Sequence, residues 1–155
     1  MLLMLLRHAD AAPHAARDRD RPLTDKGVAQ SERVGRFCAK REILPELILT
    51  SPYRRSVETA SLVAKHLSVE VREVAALGCG MTPAVALDLV REHARFGSLM
   101  LVGHQPDLGD LAGRLLGGVG GDLVRVRKAS LAGFEIDPER PAGAVLQFMV
   151  PASLM

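Results

Sequence analysis

The chain has 155 residues and a formal net charge of +2, too small a surplus to argue for nucleic acid as a partner. Apolar residues make up 48% of it and charged residues 25%, an ordinary globular balance that excludes disorder, and a chain of this length buries roughly 70% of its unfolded surface without a metal or disulfide staple. Its two cysteines, Cys38 and Cys79, fit neither a zinc spacing nor a disulfide framework, so a reducing, cytoplasmic setting is expected.

The elements follow in chain order. Leu2–Leu6 is apolar throughout and reads as a strand buried on both faces. The opening "MLLMLL" is too short for a signal peptide and lacks a basic segment before it, and no stretch reaches the ~20 apolar residues of a membrane span. A charged loop, "APHAARDRDRP", leads into a helix over 23–43, with Thr24 as its N-cap and Leu23 and Val28 spaced as a hydrophobic staple. "ELILT" is a second strand. "SPYRRSVETASLVAKHL" is a second helix, with Ser51 expected as cap and Pro52 at the first helical position. "VEVREV" reads as a third strand, "TPAVALDLVREHAR" as a third helix and "SLMLVG" as another buried strand. "QPDLGDLAGRLLG" starts a fourth helix at its proline, and "GGVGG" at 117–121 reads as a flexible turn. "SLAGFEI" and "AVLQFMV" form a closing antiparallel pair joined by "DPERPAG".

Strands alternating with helices predict an α/β fold, a three-layer sandwich with a mostly parallel central sheet, built as one domain over 1–155. In such sheets ligands bind beyond the carboxyl ends of the strands. Arg7 and His8 close the first strand, and His104 follows "LMLVG". Arg54 and Arg55 fall in the first turn of the second helix. Cations are unfavourable at a helix N-terminus unless an anion sits nearby. Arginine forks match phosphate oxygens. Neighbouring positive charge also disfavours imidazolium, and a neutral imidazole is a nucleophile. Each residue alone has an ordinary explanation, as a loop arginine or a structural histidine; the joint pattern points to phosphoryl transfer through His8.

Competing chemistries fit less well. A thiol phosphatase loop needs arginine six positions after its cysteine, where this chain has Leu44 and Val85. No G-x-x-x-x-G-K-[ST] is present. His8, Asp10 and His14, or His104 and Asp107, could in principle ligate a metal, but the trio lacks one-face helical spacing. His66 and His93 lie near helix C-termini, where histidine complements the dipole, and His14 reads as a solvated loop residue.

Taken together, "LLRHADA", "DRPLTDKG", "ILTSPYRRSVETA" and "LMLVGHQPDL" resemble the histidine phosphatase, or phosphoglycerate mutase-like, superfamily, and within it the small SixA-type phosphohistidine phosphatase branch. The resemblance covers most of the chain. It implies that His8 accepts the phosphoryl group, that Arg7 and Arg55 bind it, and that His104 stabilises it in transfer. It implies that Arg21, in "RPLT", reaches the phosphate too, that Arg54 occupies a variable position, and that no metal or organic cofactor is used. Larger members carry a glutamate general acid after the third strand. Here Glu73 is the one candidate, and it falls within the strand. The expected function is hydrolysis of phosphohistidine on a signalling or phosphotransfer protein, with no nucleic-acid or membrane partner. The alternatives are a small-molecule phosphomonoesterase of the same superfamily and a non-catalytic phosphate-binding module. A mutase is disfavoured, because the short chain leaves little for a capping lid.

Overall fold

Every second residue of the first strand faces a different layer. In the computed structural model, which describes residues 1–118, 124–141 and 143–155, β1 (Leu2–Arg7) sends Leu3 and Leu5 into one core and Met4 and Leu6 into another. β2 (Leu47–Thr50) and β4 (Ser98–Gly103) divide in the same way. This period-2 sorting of a continuous apolar run is what a doubly covered sheet requires. The first core is closed by α3 (Pro83–Glu92) and α4 (Asp107–Leu115), through Ala86, Val90, Leu108 and Leu111. The second is closed by α1 (Asp25–Lys40) and α2 (Arg54–Leu67), through Val34, Cys38, Ala60 and Val63. The result is a three-layer α/β sandwich.

The six strands, with β3 (Val71–Glu73), β5 (Leu131–Glu135) and β6 (Val145–Val150), are ordered β3-β2-β4-β1-β5-β6. The first four are parallel, and β5 and β6 join antiparallel at one edge. Register places Arg7 beside Gly103 and Thr50 beside Val102, so the carboxyl ends of β1, β2 and β4 lie level. His8 N donates to Gly103 O at 3.0 Å and Ser51 N to Val102 O at 2.9 Å, which carries the ladder one residue past each strand.

Thr24 caps α1 as its sequence predicts, its hydroxyl accepting from Gly27 N at 3.1 Å. The hydroxyl also donates to an Asp10 carboxylate oxygen at 2.8 Å. Gly27 must be glycine: a Cβ there would lie 1.9 Å from the Asp10 carbonyl oxygen. The "LTDKG" segment therefore presses the first turn of α1 against the loop that leaves His8. Leu23 and Val28 both line one groove. α1, β3 and α3 are each shorter than expected by a few end residues, the ordinary uncertainty of element boundaries.

The expected start of α2 is corrected. Ser51 is not its cap and Pro52 is not in it; the helix begins at Arg54 behind Tyr53, with no side-chain cap. The Ser51 hydroxyl is instead engaged by His104 at 2.7 Å. Of the "GGVGG" turn, Gly117 has a positive φ of 84° that suits glycine, and 119–121 lie outside the described residues, as does 142 of the closing turn. Among the described residues no helix is long and apolar enough to cross a membrane.

Candidate functional site

The sequence-predicted residues meet at one sheet edge. Arg7, His8, Arg21, Arg55 and His104 line a single cavity of about 220 Å³ with Ala11, Cys79, Gln105 and Lys128. The His8 and His104 rings lie 5.3 Å apart, centroid to centroid. Both rings are buried.

The motif around α2 positions this cluster. Thr59 Oγ1 donates to Arg55 O at 2.7 Å and accepts from Ala9 N at 3.1 Å, tying α2 to the residue after His8. Glu58 accepts from Leu23 N at 2.7 Å with one carboxylate oxygen and from Arg54 Nε at 2.7 Å with the other. Arg54 is thus a half-exposed surface partner, whereas Arg55, one residue on, is only 3% exposed. Asp107 is buried and accepts from Gly80 N at 2.8 Å and Met81 N at 3.2 Å, fastening the loop that carries Cys79 to the start of α4.

Hydrogen bonds fix both imidazoles. His8 Nδ1 lies 2.8 Å from Ala9 O, and a carbonyl only accepts, so the proton is on Nδ1 and Nε2 carries the lone pair. Arg55 Nε donates to that Nε2 at 3.3 Å. Arg55 Nη2 lies 3.4 Å from His104 Nδ1, and a guanidinium only donates, so Nδ1 accepts and Nε2–H faces Ser51 Oγ. Burial pushes the His8 pKa down to about 3, against the Ala9 hydrogen bond and aided by His104, Arg55 and Arg7. Burial and then Arg55 push His104 down to about 4. Both rings are neutral at pH 7.

The cations are prepared for an anion. Arg7 Nη1 donates to Val126 O at 3.1 Å, while its Nε is buried with no partner. Such an orphan donor is costly unless something else satisfies it. Arg55 stacks over the Tyr53 ring at 4.9 Å. Its Nη1 donates to Asp18 O at 2.9 Å and its Nη2 to Asp18 Oδ2 at 3.1 Å. Arg21 Nε pairs with the second carboxylate oxygen of Asp18 at 2.8 Å. Lys128 Nζ pairs with Asp10 Oδ1 at 2.7 Å.

Other expectations separate cleanly. Glu73 ends β3, exposed and away from the cavity. His66 bonds Glu32 at 2.6 Å, His93 caps α3 by bonding Leu89 O at 2.8 Å, and His14 is exposed. Among the described residues no three His, Cys, Asp or Glu side chains are grouped to hold a metal ion. Sequence reasoning missed Asp18, Cys79, Gln105 and Lys128. Asp18 sits in the charged loop, in a 3-10 turn over Asp18–Asp20, where alternating charge gave no sign of which residue turns inward.

A neutral histidine with its lone pair toward a cavity, among arginines at the carboxyl edge of a three-layer α/β sandwich, is chemistry suited to a phosphoryl group. The model of the histidine phosphatase superfamily (branch 1) matches residues 3–78. An uncharacterized protein of Picosynechococcus is 36% identical over 141 residues, 86% of this chain and 84% of the relative. The phosphohistidine phosphatase SixA of Escherichia coli is 32% identical over 124 residues, 76% of each chain. The solved structure of the protein histidine phosphatase SixA complexed with tungstate superposes with a TM-score of 0.89, covering 99% of this chain and 98% of that one, at 21% identity. The chain belongs to the histidine phosphatase superfamily, in its SixA branch. That membership supports a phosphatase activity.

Proposed function

We propose that this chain hydrolyses phosphohistidine carried on a signalling or phosphotransfer protein, without a metal or organic cofactor, through a covalent phosphohistidine on His8. The observation that carries the reading is the state of His8: its Nδ1–H is given to Ala9 O, so Nε2 keeps its lone pair at the cavity. Nε2 gives up its hydrogen bond from Arg55 Nε, whose N–H turns to a phosphoryl oxygen, and attacks phosphorus as the bond from phosphorus to the substrate's ring nitrogen breaks. The departing imidazole takes its proton from solvent. Water then attacks the phosphorylated His8, which releases inorganic phosphate and restores the neutral ring. Arg7, Arg21 and Arg55 bind the phosphoryl oxygens, and His104 faces the transferring group. Their charge-assisted hydrogen bonds supply most of the stabilisation, as phosphoryl transfer depends on positioning and electrostatics.

The preference for a phosphorus–nitrogen bond rests on the lining. Among the described residues, no carboxyl side chain lines the cavity. Asp18, close by, is held ionised: desolvation alone would raise its pKa, but Arg55 and Arg21 outweigh that and keep it below the carboxylate range. An imidazole leaving group needs far less protonation than an alkoxide. The kinship with E. coli phosphohistidine phosphatase SixA supports the same substrate class. The test is a panel that compares phosphate release from a phosphohistidine-bearing protein, sugar phosphates and an aryl phosphate. The phosphohistidine protein should have the highest kcat/KM; faster turnover of sugar phosphates would replace this reading with a small-molecule phosphomonoesterase.

A further inference from the structure

Arg55 is almost fully buried, yet two of its nitrogens reach Asp18, 37 residues away in sequence. Asp18 is itself 60% exposed at the side chain. Its main-chain oxygen takes Arg55 Nη1 at 2.9 Å and its Oδ2 takes Arg55 Nη2 at 3.1 Å. Its Oδ1 pairs with Arg21 Nε at 2.8 Å. One loop residue therefore joins two arginines that come from different segments and line the same cavity. The turn that presents it is closed by Arg21 N donating to Asp18 O at 3.3 Å and by the Arg17–Asp20 ion pair at 2.6 Å.

Three roles are open to such a carboxylate. A proton donor must be protonated and must face the leaving group. Asp18 Oδ2 instead accepts from Arg55 Nη2, its Oδ1 is ion-paired with Arg21, and the residue is not among those lining the cavity. A solvated surface pair contributes little. That account would leave Arg55, 3% exposed, a buried guanidinium with no other carboxylate partner among the described residues. The third role is orientation. With its far end held by Asp18, Arg55 turns Nε onto His8 Nε2 at 3.3 Å and Nη2 toward His104 Nδ1 at 3.4 Å.

We propose that Asp18 is a positioning residue, which holds Arg55 by hydrogen bonds and Arg21 by charge in one receptor for a single phosphoryl group and competes with that group for Arg55 Nη2. The inference rests on the phosphatase reading above. It has a kinetic signature that neither of the other roles shares. The entering phosphoryl oxygens must share Arg55 Nη2 with the carboxylate, whereas Arg21 Nε, ion-paired with Asp18 but without a hydrogen-bond partner, keeps its N–H to give. Removing the negative charge therefore leaves ground-state binding of a phosphate as strong or stronger. Transition-state stabilisation falls, because the two guanidiniums lose their fixed aim.

The experiment is Asp18→Asn in the full chain, with three measurements. Turnover is followed with an aryl phosphate and with phosphoimidazole. Inorganic phosphate is titrated by calorimetry, which needs no activity. Thermal unfolding is followed in parallel. The expected result is a kcat lowered by about tenfold or more on both substrates, a Kd for phosphate no weaker than that of the unaltered protein, and an unchanged Tm. A loss that grows with the basicity of the leaving group and removes the alkaline limb of the pH profile would make Asp18 a proton donor and overturn the proposal. So would an unchanged kcat, or a phosphate Kd that weakens together with the Tm. If the unaltered protein cleaved neither substrate, the phosphatase reading would fail, and the calorimetric comparison would still decide whether Asp18 competes for Arg55 Nη2.

Discussion

Arg55 Nε donates at 3.3 Å to His8 Nε2, the ring nitrogen that carries the lone pair of the proposed nucleophile. The guanidinium marks that nitrogen as the deprotonated one, and burial first, with the neighbouring charges second, keeps it so. His8→Ala should abolish turnover and with it any acid-labile, base-stable phosphoenzyme. Labelling with radioactive phosphate from a phosphoimidazole donor, quenched at high pH, reads the intermediate directly. A variant that retained label at another position would move the nucleophile elsewhere.

Two adjacent arginines should differ sharply. Arg54 lies on the surface, paired with Glu58 at 2.7 Å, and an exposed i, i+4 pair contributes a few tenths of a kcal/mol at most. Arg55 is buried against both histidines. Loss of one charge-assisted contact to the transferring phosphoryl group commonly costs about 3 kcal/mol, roughly a hundredfold in rate. Arg55→Ala should therefore lower kcat/KM by about a hundredfold or more and Arg54→Ala by less than about twofold. Equal losses in steady-state assays would contradict the division between them.

The two neutral histidines make stability fall with acid. Their folded pKa values, about 3 for His8 and about 4 for His104, lie below the ordinary 6.5 that each regains on unfolding. The unfolded chain thus binds more protons below pH 6.5. Stability is full above that pH and is lost as pH falls toward 4, by up to about 1.4 kcal/mol per pH unit for each ring. Urea unfolding of the unaltered protein and of a His8→Gln, His104→Gln double variant measures the contribution as a difference in slope between pH 6 and 4. The double variant should have the shallower dependence; parallel curves would mean that neither ring is held neutral.

The parts of this site legible in the sequence are those set by local rules. Apolar runs fixed where strands end, and the ends of β1 and β4 delivered Arg7, His8 and His104. Thr24 was legible because a cap acts on its own helix. Ser51 was misread for the same reason. It stands where a cap would stand, but a partner 53 residues away takes its hydroxyl. Lys128 meets Asp10 across 118 residues, and Asp18 meets Arg55 across 37. Contacts at such separations leave no periodicity or spacing to read. Gly27 falls between these cases: its place in "LTDKG" marks it, and the Asp10 carbonyl that forbids a side chain there emerges only in three dimensions. The neutrality of His8 was legible in direction from the neighbouring arginines, although burial proves the larger cause; that of His104 was not read from the sequence.

The leaving group decides what this cavity can cleave. An alkyl phosphate expels an alkoxide, whose basicity demands a proton from a placed acid, an effect worth about a hundredfold to ten-thousandfold. Glu73 is the one carboxylate in "VREVAALGCGMTP", the stretch around the end of β3 where larger superfamily members are expected to carry that acid, and here it ends β3, exposed and outside the cavity. Asp18 is committed to two guanidiniums and held ionised. Cys79 lines the cavity, and its raised pKa keeps it a thiol, whose S–H is a weak hydrogen-bond donor. A phosphoimidazole requires none of these groups, since its ring is far less basic than an alkoxide and picks up a proton from water as it leaves. A phosphohistidine-bearing protein should accordingly be cleaved with a kcat/KM about a hundredfold or more above that for glycerol phosphate. Glu73→Gln should leave both values within about twofold, as expected for an exposed residue away from the reacting atoms. If glycerol phosphate were cleaved as fast, and Glu73→Gln removed that activity along with the alkaline limb of its pH profile, the strand end would have to move to bring Glu73 to the phosphate, and the substrate would be a small phosphomonoester.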